Sequence, residues 1–271
     1  DSDGDSDGDS DGDSDGDYHD CESVAYISNY PVQMICLEKC ENTLDYLLEN
    51  ELIDEPKCIS ALMQIVMTLI VYQKTLSFTH NDLHTNNIMY IETDKEFIYY
   101  THNQIHYKVP TYGRIYKIID FGRSIYRFKN KMFYSDCFEK HGDANGQYNC
   151  EPFLNKKKQV VEPNFSFDLC RLGCSIYDFI FDKNKDIKVK EMSPFKRIVY
   201  EWCMDDTKRN FLYTKNGNER HPGFNLYKKI ARNKNNSQPI QELKKRIFKQ
   251  YRCDACDTSE IIVDIDKMPR L

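Results

Sequence analysis

Ile59, Leu62, Met63, Val66, Leu69 and Ile70 recur at spacings of three and four, and the pattern then stops at "FTHNDLHTNNIMY", residues 78–90. The periodic half predicts a long helix buried along one face. The second half sets two histidines, one aspartate and three asparagines between that helix and another apolar run. Polar groups gathered against a core cost free energy unless they bond to something or perform chemistry. The fold is therefore constrained to a helix entering a polar loop and a strand leaving it.

The neighbouring stretches fill in that frame. Asp54 and Pro56 mark the start of the long helix, which ends near Thr75. "NTLDYLLEN" at 42–50 predicts a short helix with Asn42 as its N-cap, and "PVQMICLE" at 31–38 predicts a buried strand with Pro at its start. "IMYIE" at 88–92 and "IYKIID" at 115–120 predict two more strands. Between them, 96–109 predicts a hairpin turning at Asn103 and Gln104. A long polar segment with a lysine run covers 123–165. "FDLCRLGCSIYDFIF" at 167–181 predicts an apolar helix on Leu169, Leu172, Ile176, Phe179 and Ile180, and 192–204, 222–232 and 238–252 predict three others. The fold class is α+β, mainly helical, with short strands around the polar loop.

Residues 1–16 are four copies of Asp-Ser-Asp-Gly, which bury no apolar surface, so 1–20 predicts a disordered acidic segment. It also governs the net charge of −6, because residues 1–20 hold ten Asp and the rest carries 37 Lys and Arg against 33 acids, a net of +4. That mild excess does not predict a nucleic-acid partner. The longest apolar run, 65–72, is too short to span a bilayer, and neither a membrane partner nor a secretory leader is expected. Eleven cysteines without a framework predict free thiols in a reducing, intracellular compartment, not a secreted protein.

Several metal patterns fail on their own chemistry. Asp11, Asp13, Asp15, Gly16 and Glu22 fit a calcium-loop spacing, but no helix can precede residue 11, and an Asp repeat generates such matches. Cys253 and Cys256 form one C-x-x-C with no second pair near it. His80 and His84 stand four apart, yet Asn81 occupies the place where a zinc hydrolase needs Glu. The lysines at 155–159 and 241–249 read as solvated faces.

His80, Asp82 and Asn87 fit H-x-D-x-x-x-x-N, and the strand at 115–119 runs into Asp120-Phe121-Gly122. In that order, each at a strand boundary, these resemble the catalytic loop and D-F-G of protein kinases. "MICLEKCENTLDYLLE" is similar to the last N-lobe strand, hinge and first C-lobe helix of that family, and "FSFDLCRLGCSIYDF" to its central C-lobe helix. The combination resembles the kinase-like proteins of large DNA viruses, with the host cytoplasm or a virion as the compartment.

The resemblance implies a kinase C-lobe over 42–271, with 21–41 as the last N-lobe strand and hinge, and ATP and Mg²⁺ as cofactors. On it, Asp82 is the base toward a protein hydroxyl, serine or threonine before tyrosine, and His84 stands beside the γ-phosphate. Asn87 and Asp120 hold Mg²⁺ through hard oxygens. Leu37 is the gatekeeper, Glu38 and Cys40 meet the adenine edge through their backbone, and Met89 and Ile119 lie beneath the base. His80 packs under Phe121, Gly122 permits the chain reversal after the metal ligand, and Asp168 accepts hydrogen bonds from the catalytic-loop backbone.

Four departures shape the expectation. Asn81 replaces the Arg that pairs with an activation-loop phosphate in the family, which argues against control by loop phosphorylation. "HNDLH" is also similar to the loop of small-molecule phosphotransferases, which leaves that acceptor class as an alternative. "VEPNFSFD" replaces A-P-E. No G-x-G-x-x-G occurs, so the N-lobe is expected upstream or in trans, and a catalytically silent binding module is the third reading.

Overall fold

The structure is a computed structural model that describes residues 25–32, 34–182 and 188–271; the calcium-loop pattern and the acidic repeat lie outside the described residues. The chain divides into two compact units, Asp1–Glu38 and Lys39–Leu271. In the first, the strand expected over 31–38 is absent among the described residues, and Val32, Met34, Ile35 and Leu37 are exposed. An apolar run becomes a buried strand only where neighbours accept its backbone hydrogen bonds, and the described part of this unit contains no other strand.

The second unit opens with β1 (Asn42–Thr43) and α1 (Leu44–Glu49). The cap of α1 is Thr43, one residue after the expected Asn42: its hydroxyl accepts from the Tyr46 N–H at 3.1 Å. Asn42 is instead drawn into a sheet, its backbone paired opposite Tyr90. The long helix α2 (Glu55–Leu76) starts as the sequence predicts, with the Asp54 carboxylate accepting from the Lys57 N–H and Pro56 in the first turn. Its 22 residues run about 33 Å, and this is the one described helix long and apolar enough to cross a membrane. Most of it is buried inside the fold, from Cys58 to Gln73.

Beyond the polar loop come β2 (Ile88–Glu92), β3 (Phe97–His102), β4 (Ile105–Pro110) and β5 (Arg114–Ile118). β2 pairs antiparallel with β5, Ile88 opposite Ile118, in a sheet of order β1-β2-β5. β3 and β4 form the expected hairpin. Its two turn residues, Asn103 (φ 52°) and Gln104 (φ 62°), adopt the left-handed conformation that a two-residue connection between twisted strands requires. The Asp266 carboxylate accepts both turn N–H groups, at 2.8 and 2.9 Å.

The polar segment after β5 contains a second small hairpin, β6 (Tyr126–Phe128) and β7 (Lys131–Phe133). Helices α3 (Phe167–Ile180), α4 (Pro194–Trp202) and α5 (Asn225–Asn233) follow close to the predicted places. The helix expected over 238–252 is two short ones, α6 (Pro239–Glu242) and α7 (Arg246–Lys249), broken where Lys245 turns extended. That break sets the Lys245 ammonium 2.8 Å from both Glu201 and Glu242. Finally β8 (Arg252–Cys253) and β9 (Ile261–Asp264) return to flank the first hairpin, giving a sheet of order β8-β4-β3-β9.

The unit is therefore α+β with three small sheets among the described residues, and it carries more strand than the sequence suggests. One core joins α2, α3, α4 and the inner faces of β2 and β5. Every described cysteine is a free thiol.

Candidate active site

The polar loop, residues 79–87, is held by a buried carboxylate from α3. Asp168 accepts the backbone N–H of His80 and of Asn81, both at 2.9 Å. It lies in the first turn of α3, whose N-cap is Ser166, so its carboxylate is spent on the loop and not on its own helix. Burial pushes this carboxyl above the usual carboxylate range, against the pull of His80 and the two N–H donors. The His80 ring bridges the loop to the end of β5: its Nδ1 accepts from the Asp82 N–H at 3.3 Å, so Nε2 donates to the Ile119 carbonyl at 2.9 Å. Phe121 rests against His80 and Phe78, with ring centroids 5.7 and 5.9 Å apart.

Asn81 stands where the resembled family has Arg. It is fully buried at φ 66°, a left-handed backbone that Asn tolerates better than most residues. Its amide donates to the Arg123 carbonyl at 2.9 Å and the Thr79 carbonyl at 3.3 Å, and its oxygen accepts from the Tyr148 hydroxyl at 2.5 Å. A neutral hydrogen-bond network occupies the position and leaves no cation there.

Asn87 and Asp120 come to the same edge of the loop. The Asn87 amide donates to the Asp82 carbonyl at 3.0 Å, and the Asn87 carbonyl accepts from the Ile119 N–H at 3.0 Å. Asp120 directly follows the Ile119 that is bonded to the Asn87 carbonyl, at φ 60°, with its carboxylate accepting from the Gly122 N–H at 3.2 Å. Burial first, then the Arg171 charge, lower the pKa of the half-buried His84 below 6.5, against the opposing pull of the Asp82 and Asp120 carboxylates.

The Asp82 carboxylate is itself engaged. Tyr227 from α5 donates its hydroxyl to Oδ1 at 2.6 Å, Arg123 brings a guanidinium nitrogen to 3.3 Å from Oδ2, and His84 Nε2 lies 4.0 Å from Oδ1. Arg171 in turn donates to the Tyr227 oxygen at 2.9 Å. Arg123, Arg171, Tyr148 and Tyr227 are the residues that sequence reading missed. Arg123 carried a signal, since it directly follows Asp120-Phe121-Gly122; the others reach the loop from distant segments.

Of the expected nucleotide contacts, Met89 lies half-buried on β2 opposite Thr43 and Lys117, and Ile119 closes β5 against the loop. Cys40 belongs to the same unit, whereas Leu37 and Glu38 belong to the first. As to metal, Asn87 and Asp120 offer one amide oxygen and one carboxylate, a hard-oxygen set that suits Mg²⁺ when phosphate and water complete the shell. No group of three His, Cys, Asp or Glu side chains able to hold an ion gathers among the described residues.

No protein-family profile matches the chain. Two relatives are similar to parts of it. The uncharacterized protein 098R of Invertebrate iridescent virus 6 is 32% identical over 128 residues, which is 46% of this chain and 20% of that protein. The uncharacterized protein ZK177.2 of Caenorhabditis elegans is 27% identical over 106 residues, 36% of each chain. The chain thus spans well under half the length of either relative it matches.

Proposed function

We propose that this chain carries the catalytic loop of an ATP- and Mg²⁺-dependent phosphotransferase with a kinase C-lobe architecture, acting on a protein hydroxyl, serine or threonine before tyrosine. The observation that carries the reading is the pair of bonds made by Asn87: its side chain holds the Asp82 carbonyl and its backbone holds the Ile119 N–H beside Asp120. One residue thereby ties the backbone of the base to the residue that precedes Asp120. Asp82 orients the acceptor hydroxyl and takes its proton. Asn87 and Asp120 would hold Mg²⁺, which would supply charge neutralisation to the transferred phosphate. Asp168 and His80 hold the loop in shape. The cover over the nucleotide phosphates comes from outside residues 39–271, upstream or in trans.

The engagement of both Asp82 oxygens favours a second reading, a binding module in which Arg123 and Tyr227 keep the carboxylate occupied. Labelled ATP offered to the protein complete with that nucleotide cover, with a protein mixture and, separately, a metabolite mixture, decides between the readings and between acceptor classes. Asp82→Asn is expected to lower transfer by about 10²–10⁴-fold, the span of general-base assistance. Full transfer by this variant refutes Asp82 as the base, and transfer only to metabolites moves the acceptor to a small molecule.

A further inference from the structure

Next to the loop lies a cavity of about 820 Å³ that the phosphotransfer reading does not use. Two side chains connect it to the loop. Tyr148 lines the cavity and donates its hydroxyl to Asn81, and Lys228, also in the lining, directly follows the Tyr227 that bonds Asp82. The cavity is thus joined to the loop through the Tyr148–Asn81 bond, and its Lys228 is the chain neighbour of the residue bonded to Asp82.

The lining is cationic. Lys140, Lys158, Lys228 and Arg232 face Glu139 as the single acid of the lining. Arg232 is fixed without a carboxylate: its guanidinium donates to the Gly146, Gln147 and Lys228 carbonyls, at 3.0, 3.2 and 2.6 Å. The Lys228 ammonium lies 5.4 Å over the Phe224 ring, a contact that leaves it able to take an anion. The wall is built, not loose. The Asn149 side chain donates to the Asn155, Lys158 and Gln159 carbonyls and accepts from the Asn155 N–H at 2.7 Å. That holds the Lys158 turn in place. The aromatic base is set by Phe153, whose ring packs 4.7 Å from Tyr134 and 6.0 Å from Phe138.

We propose that this cavity is a docking site for an acidic stretch of the polypeptide whose hydroxyl is phosphorylated. The inference rests on the phosphotransfer reading and names its substrate class. Converging cations with one opposing acid recognise carboxylates by charge. The link to the loop through Tyr148 and Asn81 selects a polypeptide, because a chain docked there extends toward the base with a serine or threonine outside the cavity. Nucleic acid is disfavoured by the charge of the remainder: outside residues 1–20 the excess is only +4, too small for a backbone-tracking stripe.

The test reads binding without ATP, by fluorescence anisotropy of a labelled 16-residue peptide, (Asp-Ser-Asp-Gly)₄, against (Asn-Ser-Asn-Gly)₄. The protein is the full chain with the aspartates of residues 1–16 changed to asparagine, so that its own acids do not compete. The acidic peptide is expected to bind at least about tenfold tighter, and less tightly as salt rises. Lys140→Glu with Lys158→Glu is expected to weaken it about tenfold, the size of two exposed ion pairs lost at about threefold each. Lys156→Glu with Lys157→Glu, the same charge change outside the lining, is expected to stay within about twofold. Equal losses in the two double variants, no preference between peptides, or tighter binding of a single-stranded oligonucleotide of matching charge would each overturn the docking site. Tight, lining-dependent binding with no phosphoryl transfer by the protein complete with its nucleotide cover refutes the transfer reading and leaves the docking site standing.

Discussion

Removing the Asp168 carboxylate tests whether the loop is held from α3. The side chain is fully buried and accepts two backbone N–H groups at 2.9 Å, from His80 and Asn81. A hydrogen bond to a charged acceptor contributes about 1.5–3 kcal/mol, so the two are worth roughly 3–6 kcal/mol gross. Relief of a desolvated charge offsets part of that. Asp168→Asn keeps one acceptor oxygen and turns an NH₂ toward the other N–H, for an expected net loss of about 2–3 kcal/mol. Asp168→Ala leaves both N–H groups buried and unpaired, for about 3–5 kcal/mol. Urea unfolding followed by Trp202, the sole tryptophan, buried on α4, measures the loss; exchange of the His80 and Asn81 amides locates it. Asn81 is the more sensitive reporter, because its left-handed backbone relaxes once the tether is gone. A loss under about 1 kcal/mol in the alanine variant, or a larger loss in the asparagine variant, refutes the tether.

Stability should also follow histidine titration. His84, His102 and His221 all have pKa values lowered from 6.5, each by burial first. The unfolded chain therefore takes up protons before the folded one, so stability is full above about pH 6.5 and falls as pH drops below it. Urea midpoints at about pH 7.5, 6.5 and 5.5 check the sign, and a rise in stability toward pH 5.5 contradicts it. A steric prediction concerns α3 against α4: a methyl at Gly173 would lie 2.8 Å from the Trp202 Cβ and 3.4 Å from the Cys203 sulfur. Gly173→Ala should cost about 1–3 kcal/mol by the same assay, and a neutral result would show that the two helices can part.

What could be read from the sequence was local. The start of α2 follows from Asp54 and Pro56, and the hairpin turn from Asn103 and Gln104, because caps and turns depend on adjacent residues. The strands β2 and β5 announce themselves by apolar runs ending at polar residues. Misreadings share a different cause. Asn42 lost its cap role to a pairing with Tyr90, and β9 exists only because β3, 163 residues earlier in the chain, offers it an edge, with Ile98 opposite Ile261. The run at 31–38 shows the converse: apolar residues with no edge to join form no strand among the described residues.

The site divides along the same line. The candidate residues Asp82, Asn87 and Asp120 are legible by spacing, since a loop and the strands beside it fix them within 39 residues of sequence. Tyr227 was not, because it meets Asp82 across 145 residues and only the placement of α5 brings it there. Asn81 links the two cases. In the sequence it reads as a missing arginine. In the fold it is a buried hub whose partners are the Tyr148 hydroxyl and the Arg123 carbonyl, both from the segment after β5. A neutral side chain there lets the loop be shaped by hydrogen bonds already inside the chain, with no charge waiting for a phosphate. The positive charge near Asp82 comes from Arg123, 3.3 Å from its carboxylate, and from Arg171, which reaches it through the Tyr227 hydroxyl. On the phosphotransfer reading proposed above, asparagine at position 81 would leave no cation at a regulatory position, and Arg123 and Arg171 would act instead on what Asp82 receives.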